Sequence, residues 1–222
     1  MAIKRYVANA DNTIVNAYET NLKTRATGAN AGAADVLEVY SIYGRQSSAS
    51  QELSRVLIKF PVSRISSDRT AGTIPASGNV SFYLQMYNAE TSKTVPRDYT
   101  LNVRPIAQDW QEGVGLDLEL YKDKTKGNPG SNWLSASNTT PWTGSTYSSS
   151  SANVGGSYRT GSGDPHFKKT FSTGLEDLKI DITPLVEHWI AGTISNYGVG
   201  VHLTSSQEAS GSAQGNTNDQ AV

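Results

Sequence analysis

The sequence predicts an all-β fold, a jelly-roll-like antiparallel β-sandwich with one short helix and long Gly/Ser-rich loops. Three observations carry that prediction. Period-two alternation of apolar and polar residues recurs in about eight short stretches, the pattern of strands with one face on a core. Only one segment carries the start and stop signals of a helix. The stretch from Lys122 to Thr173 is rich in Gly, Ser, Thr and Asn and reads as packed loop. Short strands without intervening long helices make a sandwich, jelly roll or barrel. A chain of 222 residues can bury roughly 70% of its unfolded surface. One sandwich domain is therefore expected over 1–204, with its long loop region at 122–173 and a polar loop or tail over 205–222.

The elements follow in chain order. Tyr6 to Ala8, Thr13 to Val15 and Val36 to Tyr43 are short strand candidates. Val56, Ile58 and Phe60 then alternate with Arg55, Leu57 and Lys59. Phe82, Leu84 and Met86 form an inner row against an outer row of Ser81, Tyr83, Gln85 and Tyr87. Leu101 to Ile106 follows, and Leu116, Leu118 and Leu120 face away from Asp117 and Glu119. Phe167 to Phe171 fits a short edge strand. Leu178, Ile180 and Ile182 repeat the alternation, as do Tyr197, Val199, Val201 and Leu203 opposite Gly198, Gly200 and His202. The helix spans 183–191: Thr183 is a suitable N-cap, Pro184 fits the first helical position, and Gly192 suits the C′ position. Leu185, Val186, Trp189 and Ile190 fall on its apolar face, which must cap an open end of the sandwich because about two turns are unstable alone.

Composition narrows the function classes. There is no cysteine, which removes disulfides, thiolate metal sites and thiol nucleophiles together. The formal net charge of -1 lacks the basic stripe that nucleic-acid phosphates demand. No apolar run follows the Lys4-Arg5 pair as a secretory signal would require, and no stretch approaches the ~20 apolar residues of a membrane span. We therefore expect neither a nucleic-acid nor a membrane partner.

Catalytic signatures are missing: there is no G-x-S-x-G, P-loop, G-x-G-x-x-G or H-E-x-x-H sequence. His166, His188 and His202 sit at spacings that suit no helical metal site. Asp117 and Glu119 would share a strand face with the separation of a glycosidase pair, but a solvated outer face explains them better. Asp123 and Asp164 could ligate calcium in their loops, and turn chemistry explains them equally well; no other cofactor is implied. Trp133, Trp142, Tyr147 and Tyr158 lie in polar loops. They either stack on a glycan or partner surface, or anchor the loops to the sandwich, and anchoring is the preferred reading.

The segments RVLIKFPVSRIS, VSFYLQMYNAE, VRPIAQDWQEGVG, NWL, PW and LKIDITPLVEHWIAGTISNYGVGVHL follow one another along the chain. The series resembles the DNRLRE-type (disaggregatase-related) β-sandwich domains from about Arg55 to Leu203. The tryptophan-glutamate segment of the family corresponds to Trp110 and Glu112. Its closing block corresponds to Asp181, Ile182, Thr183, Val186, Trp189, Gly192, Asn196, Tyr197 and Gly198. The chain departs from the pattern at Pro61, where an Asp often follows the opening phenylalanine. It also departs after Leu203, where another apolar strand is usual.

The resemblance implies a jelly-roll-like module, structural or carbohydrate-binding, that is not itself a catalyst. NWLSAS, PW, a Gly/Ser/Tyr run and EDLKIDIT in this order look like the variant found in virion structural proteins of tailed, cyanophage-type bacteriophages. The expected role is then an accessory, multicopy protein on the tail, neck, baseplate or capsid surface. It would be made in the host cytoplasm without a signal peptide, and would contact other virion proteins and copies of itself. The alternative is a module attaching its carrier to a host-surface polysaccharide. The missing last strand implies an unpaired sheet edge beyond Tyr197 to Leu203, which either chain continuing past Val222 or a neighbouring subunit completes.

Overall fold

The structure, a computed structural model, describes residues 3–18, 26–44, 50–91, 95–116, 130–143, 155–208 and 220–221. The elements are β1 (Ala10–Asn16), β2 (Tyr40–Gly44), β3 (Ser50–Lys59), α1 (Val62–Thr70), β4 (Tyr83–Met86) and β5 (Tyr99–Pro105). They continue with β6 (Phe167–Phe171), β7 (Leu178–Asp181), α2 (Thr183–Ala191), β8 (Val199–Leu203) and β9 (Gln220–Ala221). Among the described residues the fold is an all-β sandwich of two antiparallel sheets with two short helices. Seven strands form the large sheet in the order β6-β5-β8-β3-β2-β9, with β1 also paired to β3, while β4 and β7 form the small sheet. A jelly roll divides eight strands into two sheets through two Greek keys, whereas here seven strands stand in one sheet and two in the other.

β3 organises the large sheet. Val56 lies opposite both Thr13 of β1 and Val201 of β8, so these two strands flank it. Alternation along β3 then feeds two cores. Val56 and Ile58 join Val103, Val201 and Leu203 on one face, where they meet Leu84 and Leu178 of the small sheet and Leu185, Val186 and Trp189 of α2. Leu53 and Leu57 turn to the other face and pack with Ile106, Trp110, Trp133, Trp142 and Tyr158. Period two usually marks a solvated outer face. Here that face is roofed by loops, and β8 is buried at all five positions.

α2 occupies the predicted range, with Gly192 at φ 71° as its left-handed terminator. Its start differs from the expectation. Ile182 is the N-cap residue, and the Asp181 carboxylate accepts the Thr183 N–H at 2.8 Å. The Thr183 hydroxyl is thereby left to accept the Phe82 N–H, also at 2.8 Å, which ties the helix to the edge of β4. Asn196 holds the return to the large sheet: its Nδ2 donates to the Phe60 carbonyl at 2.8 Å and its Oδ1 accepts the Gly198 N–H at 3.1 Å. Gly198 has φ 84°, and a Cβ there would run into the Ile58 carbonyl oxygen. The Trp110 indole N–H donates to the Tyr197 carbonyl at 2.8 Å, and Glu112 accepts the Asp11 N–H at 2.8 Å. Each of these residues, singled out by the closing block or the tryptophan-glutamate segment, thus has a structural task.

Three expectations are corrected. There are two helices rather than one among the described residues: Pro61 stops β3, and Val62 and Ile65 bury one face of the short α1. Arg69 of α1 then grips Glu187 of α2 through two hydrogen bonds of 2.7 Å. Tyr6 to Ala8 forms no strand; the Tyr6 hydroxyl donates to Asp68 on α1 at 2.7 Å. β8 is no sheet edge, because β3 and β5 pair with it on either side. Leu116 is 60% exposed, and Asp117 to Leu120 lie outside the described residues. No helix among the described residues is long and apolar enough to cross a membrane.

Trp189 sits in the main core with 5% of its surface exposed. Trp189→Ala should lower the unfolding free energy by about 3–5 kcal/mol in urea denaturation, the scale of a large core truncation. A midpoint equal to that of the wild type would contradict this placement.

Candidate functional site

The loop-covered face of the large sheet holds the densest polar chemistry among the described residues. Alternation on β3 turns Arg55 inward between Leu53 and Leu57, and the residue has no solvent exposure. Its Nε and Nη2 donate to the two carboxylate oxygens of Glu208 at 2.9 and 2.7 Å, and its Nη1 donates to the Gly155 carbonyl at 2.7 Å. The guanidinium lies 5.1 Å from the centre of the Trp133 ring and 5.7 Å from that of Tyr158. Tyr158 donates its hydroxyl to the same Gly155 carbonyl at 2.8 Å. Its ring lies over Gly200, where a Cβ would strike it. His202 stands 5.2 Å from the Tyr158 ring and donates Nδ1–H to the Leu203 carbonyl at 2.7 Å.

The electrostatics fix the protonation states. Burial by itself would lower the Arg55 pKa, but the Glu208 carboxylate outweighs it and holds the guanidinium charged. Burial pushes the Tyr158 phenol up to about 12. Burial, reinforced by the charge of Arg55, drops His202 well below the ordinary imidazole value of 6.5, so its ring is neutral at pH 7. A charge-paired guanidinium, a protonated phenol and a neutral imidazole, all cut off from solvent, make a lock between sheet and loops. The segment after β8, expected as the start of a polar tail, turns back through 204–208 to deliver Glu208 to this lock.

Trp133, Trp142 and Tyr158 are 2%, 1% and 2% exposed. The structure therefore places these three rings in the interior, without the open face that stacking on a sugar requires. Trp142 also spends its indole N–H on the Asn132 carbonyl at 2.8 Å. Tyr147, Asp117, Glu119 and Asp123 lie outside the described residues. Asp164 is a turn residue: its two oxygens accept from Arg159 Nε and the Gly161 N–H, both at 2.8 Å. His166, His188 and His202 are not brought together, and no group of three metal-ligating side chains forms among the described residues.

Sequence reasoning passed over Arg55 and Glu208. The available signal was a charged residue at an inward position of an apolar strand, with the small Gly200 and polar His202 on the row behind it. The exposed aromatic chemistry lies elsewhere, on the small sheet, where Tyr83 is 53% and Tyr87 66% exposed. Lys179 of β7 stands 5.2 Å above the Tyr83 ring.

Two predictions follow from the lock. Glu208→Gln strands the Arg55 charge and should destabilise the protein by about 3–5 kcal/mol, whereas Arg55→Met combined with Glu208→Leu should stay close to wild type; denaturant titration of both variants checks this. The second concerns pH. Because the folded pKa of His202 is depressed, the unfolded chain binds the extra proton, so the stability it confers is complete above pH 6.5 and declines as pH falls below it. The slope should approach about 1.4 kcal/mol per pH unit. Melting curves between neutral and mildly acidic pH should flatten in His202→Gln relative to wild type.

No family model, curated protein or solved structure matches this chain, so nothing about its site is carried over from a relative.

Proposed function

We propose that this chain is a non-enzymatic β-sandwich module, an accessory structural protein of a tailed-bacteriophage particle on the tail, neck, baseplate or capsid surface. It works in many copies, through contacts with itself and with other particle proteins. One observation supports the reading: the polar and aromatic groups that would serve chemistry are spent inside on holding loops, while the outer face of the small sheet exposes Tyr83 and Gln85 of β4 beside Lys179 and Asp181 of β7. Such a molecule offers a surface rather than a cleft. The closing-block residues support the same view, since Asp181, Thr183 and Asn196 tie elements together. A DNRLRE-type module of the kind the sequence resembles would use them so. Carbohydrate attachment is the weaker reading, because three of the rings that would stack on sugar lie in the core.

Mass spectrometry of purified phage particles from the source of the gene tests the proposal. Peptides of this chain should appear at a stoichiometry of several copies per particle and resist removal by washing. Their absence from intact, infectious particles would overturn it.

A further inference from the structure

We infer that the outer edge of β4 is a self-pairing contact, at which two copies of this chain join their small sheets into one four-stranded sheet. The hydrogen-bond phase of β4 shows which groups are free to do this. Ile182 N–H donates to the Phe82 carbonyl at 2.9 Å, so Phe82, Leu84 and Met86 direct their backbone groups at β7. Tyr83, Gln85 and Tyr87 therefore direct theirs away from it. β4 pairs with no strand but β7, and nothing else pairs with this edge, among the described residues.

Of the other described edges, β7 carries the charges of Lys179 and Asp181, and β6 and β1 are defended. β6 carries Lys168 and Lys169, charges that oppose strand addition, and β1 is flanked by a bridge from Ile14 to Asn30. The segment from Phe82 to Tyr87 has no charge, no proline and no glycine. Its solvent-facing row, Tyr83, Gln85 and Tyr87, reads the same in both directions. Antiparallel pairing of two copies about Gln85 sets Gln85 opposite Gln85 and each Tyr83 opposite a Tyr87, while Leu84 meets Met86 on the core side. Aromatic pairs and matched amides directly across a ladder favour this register, and no like charges meet. Five residues bury far less than the roughly 1,200 Å² of a standard interface, so one contact is weak and gains force when many copies are held together.

The inference rests on the reading of this chain as an assembling module, and the test separates the two. The chain has no cysteine, so Gln85→Cys can form only an intermolecular disulfide. Under mild oxidation it should yield covalent dimer, while Ser63→Cys on the exposed side of α1 should not. In sedimentation equilibrium the wild type should dimerise reversibly, and Gln85→Lys should weaken that dimer about tenfold by opposing two ammonium groups, with an unchanged melting temperature. Cross-linking of Gln85→Cys no faster than Ser63→Cys overturns the contact, as does a wild type that stays monomeric at millimolar concentration. Dimers that ignore Gln85→Lys overturn this edge but leave the assembling role intact. A chain that cross-links at position 85 yet is missing from particles overturns only the proposed function.

Discussion

A guanidinium sealed from water must be met by an anion and by enough acceptors for its remaining hydrogens, and Arg55 sets that condition in the middle of the longest strand. Its partners come from far away. Glu208 is 153 residues along the chain and Gly155 is 100. Two remote loop segments must therefore arrive together before the charge is satisfied. A buried pair of this kind adds little net stability compared with apolar packing, yet any wrong arrangement leaves a bare charge in the core. Its contribution is choice of structure: it states which segments roof the sheet and in what position.

That roof explains several sequence features at once. Trp133 and Tyr158 flank the guanidinium, Trp142 belongs to the same buried cluster, and Gly200 leaves room for the Tyr158 ring. The large sheet is then buried on both faces, one under the small sheet and helices, the other under loops held by large rings. Loops that carry polar backbone need such anchors to stay on a sandwich, since each uncovered ring would return apolar surface to water. The Gly/Ser-rich composition of 122–173 is compatible with this, because small residues let the described parts of the loop follow the contours of three tryptophan and tyrosine side chains.

Local order was readable in the sequence, and long-range order was not. Alternation placed β3, β4, β7 and β8, weaker patterns placed β1, β2, β5 and β6, and Pro184 with Gly192 bounded α2. α1 escaped because only Val62 and Ile65 of its nine residues reach the core. Its other supports, Tyr6 to Asp68 and Arg69 to Glu187, are 62 and 118 residues apart. β8 was read as half-buried because period two does not say what covers the polar row. The Arg55–Glu208 pair has only a faint local signature, since a strand with one inward charge looks like a strand with an imperfect face and nothing near Arg55 points to a partner 153 residues away.

The two layers thus divide the work by their exposure to water. Inside, where the dielectric is low, charge and hydrogen bonding are used to select one arrangement of loops, and the groups so used are withdrawn from any outside partner. Outside, the small sheet has two strands among the described residues, and Tyr83 and Gln85 of β4 turn their backbone groups away from β7 and their side chains to solvent. A thin second layer is a poor way to finish a self-contained sandwich, because the edge-to-area ratio of two short strands is high. It suits a module whose smaller sheet is extended by another strand, and there the uncharged row from Tyr83 to Tyr87 becomes an asset where in a solitary molecule it would be an aggregation hazard.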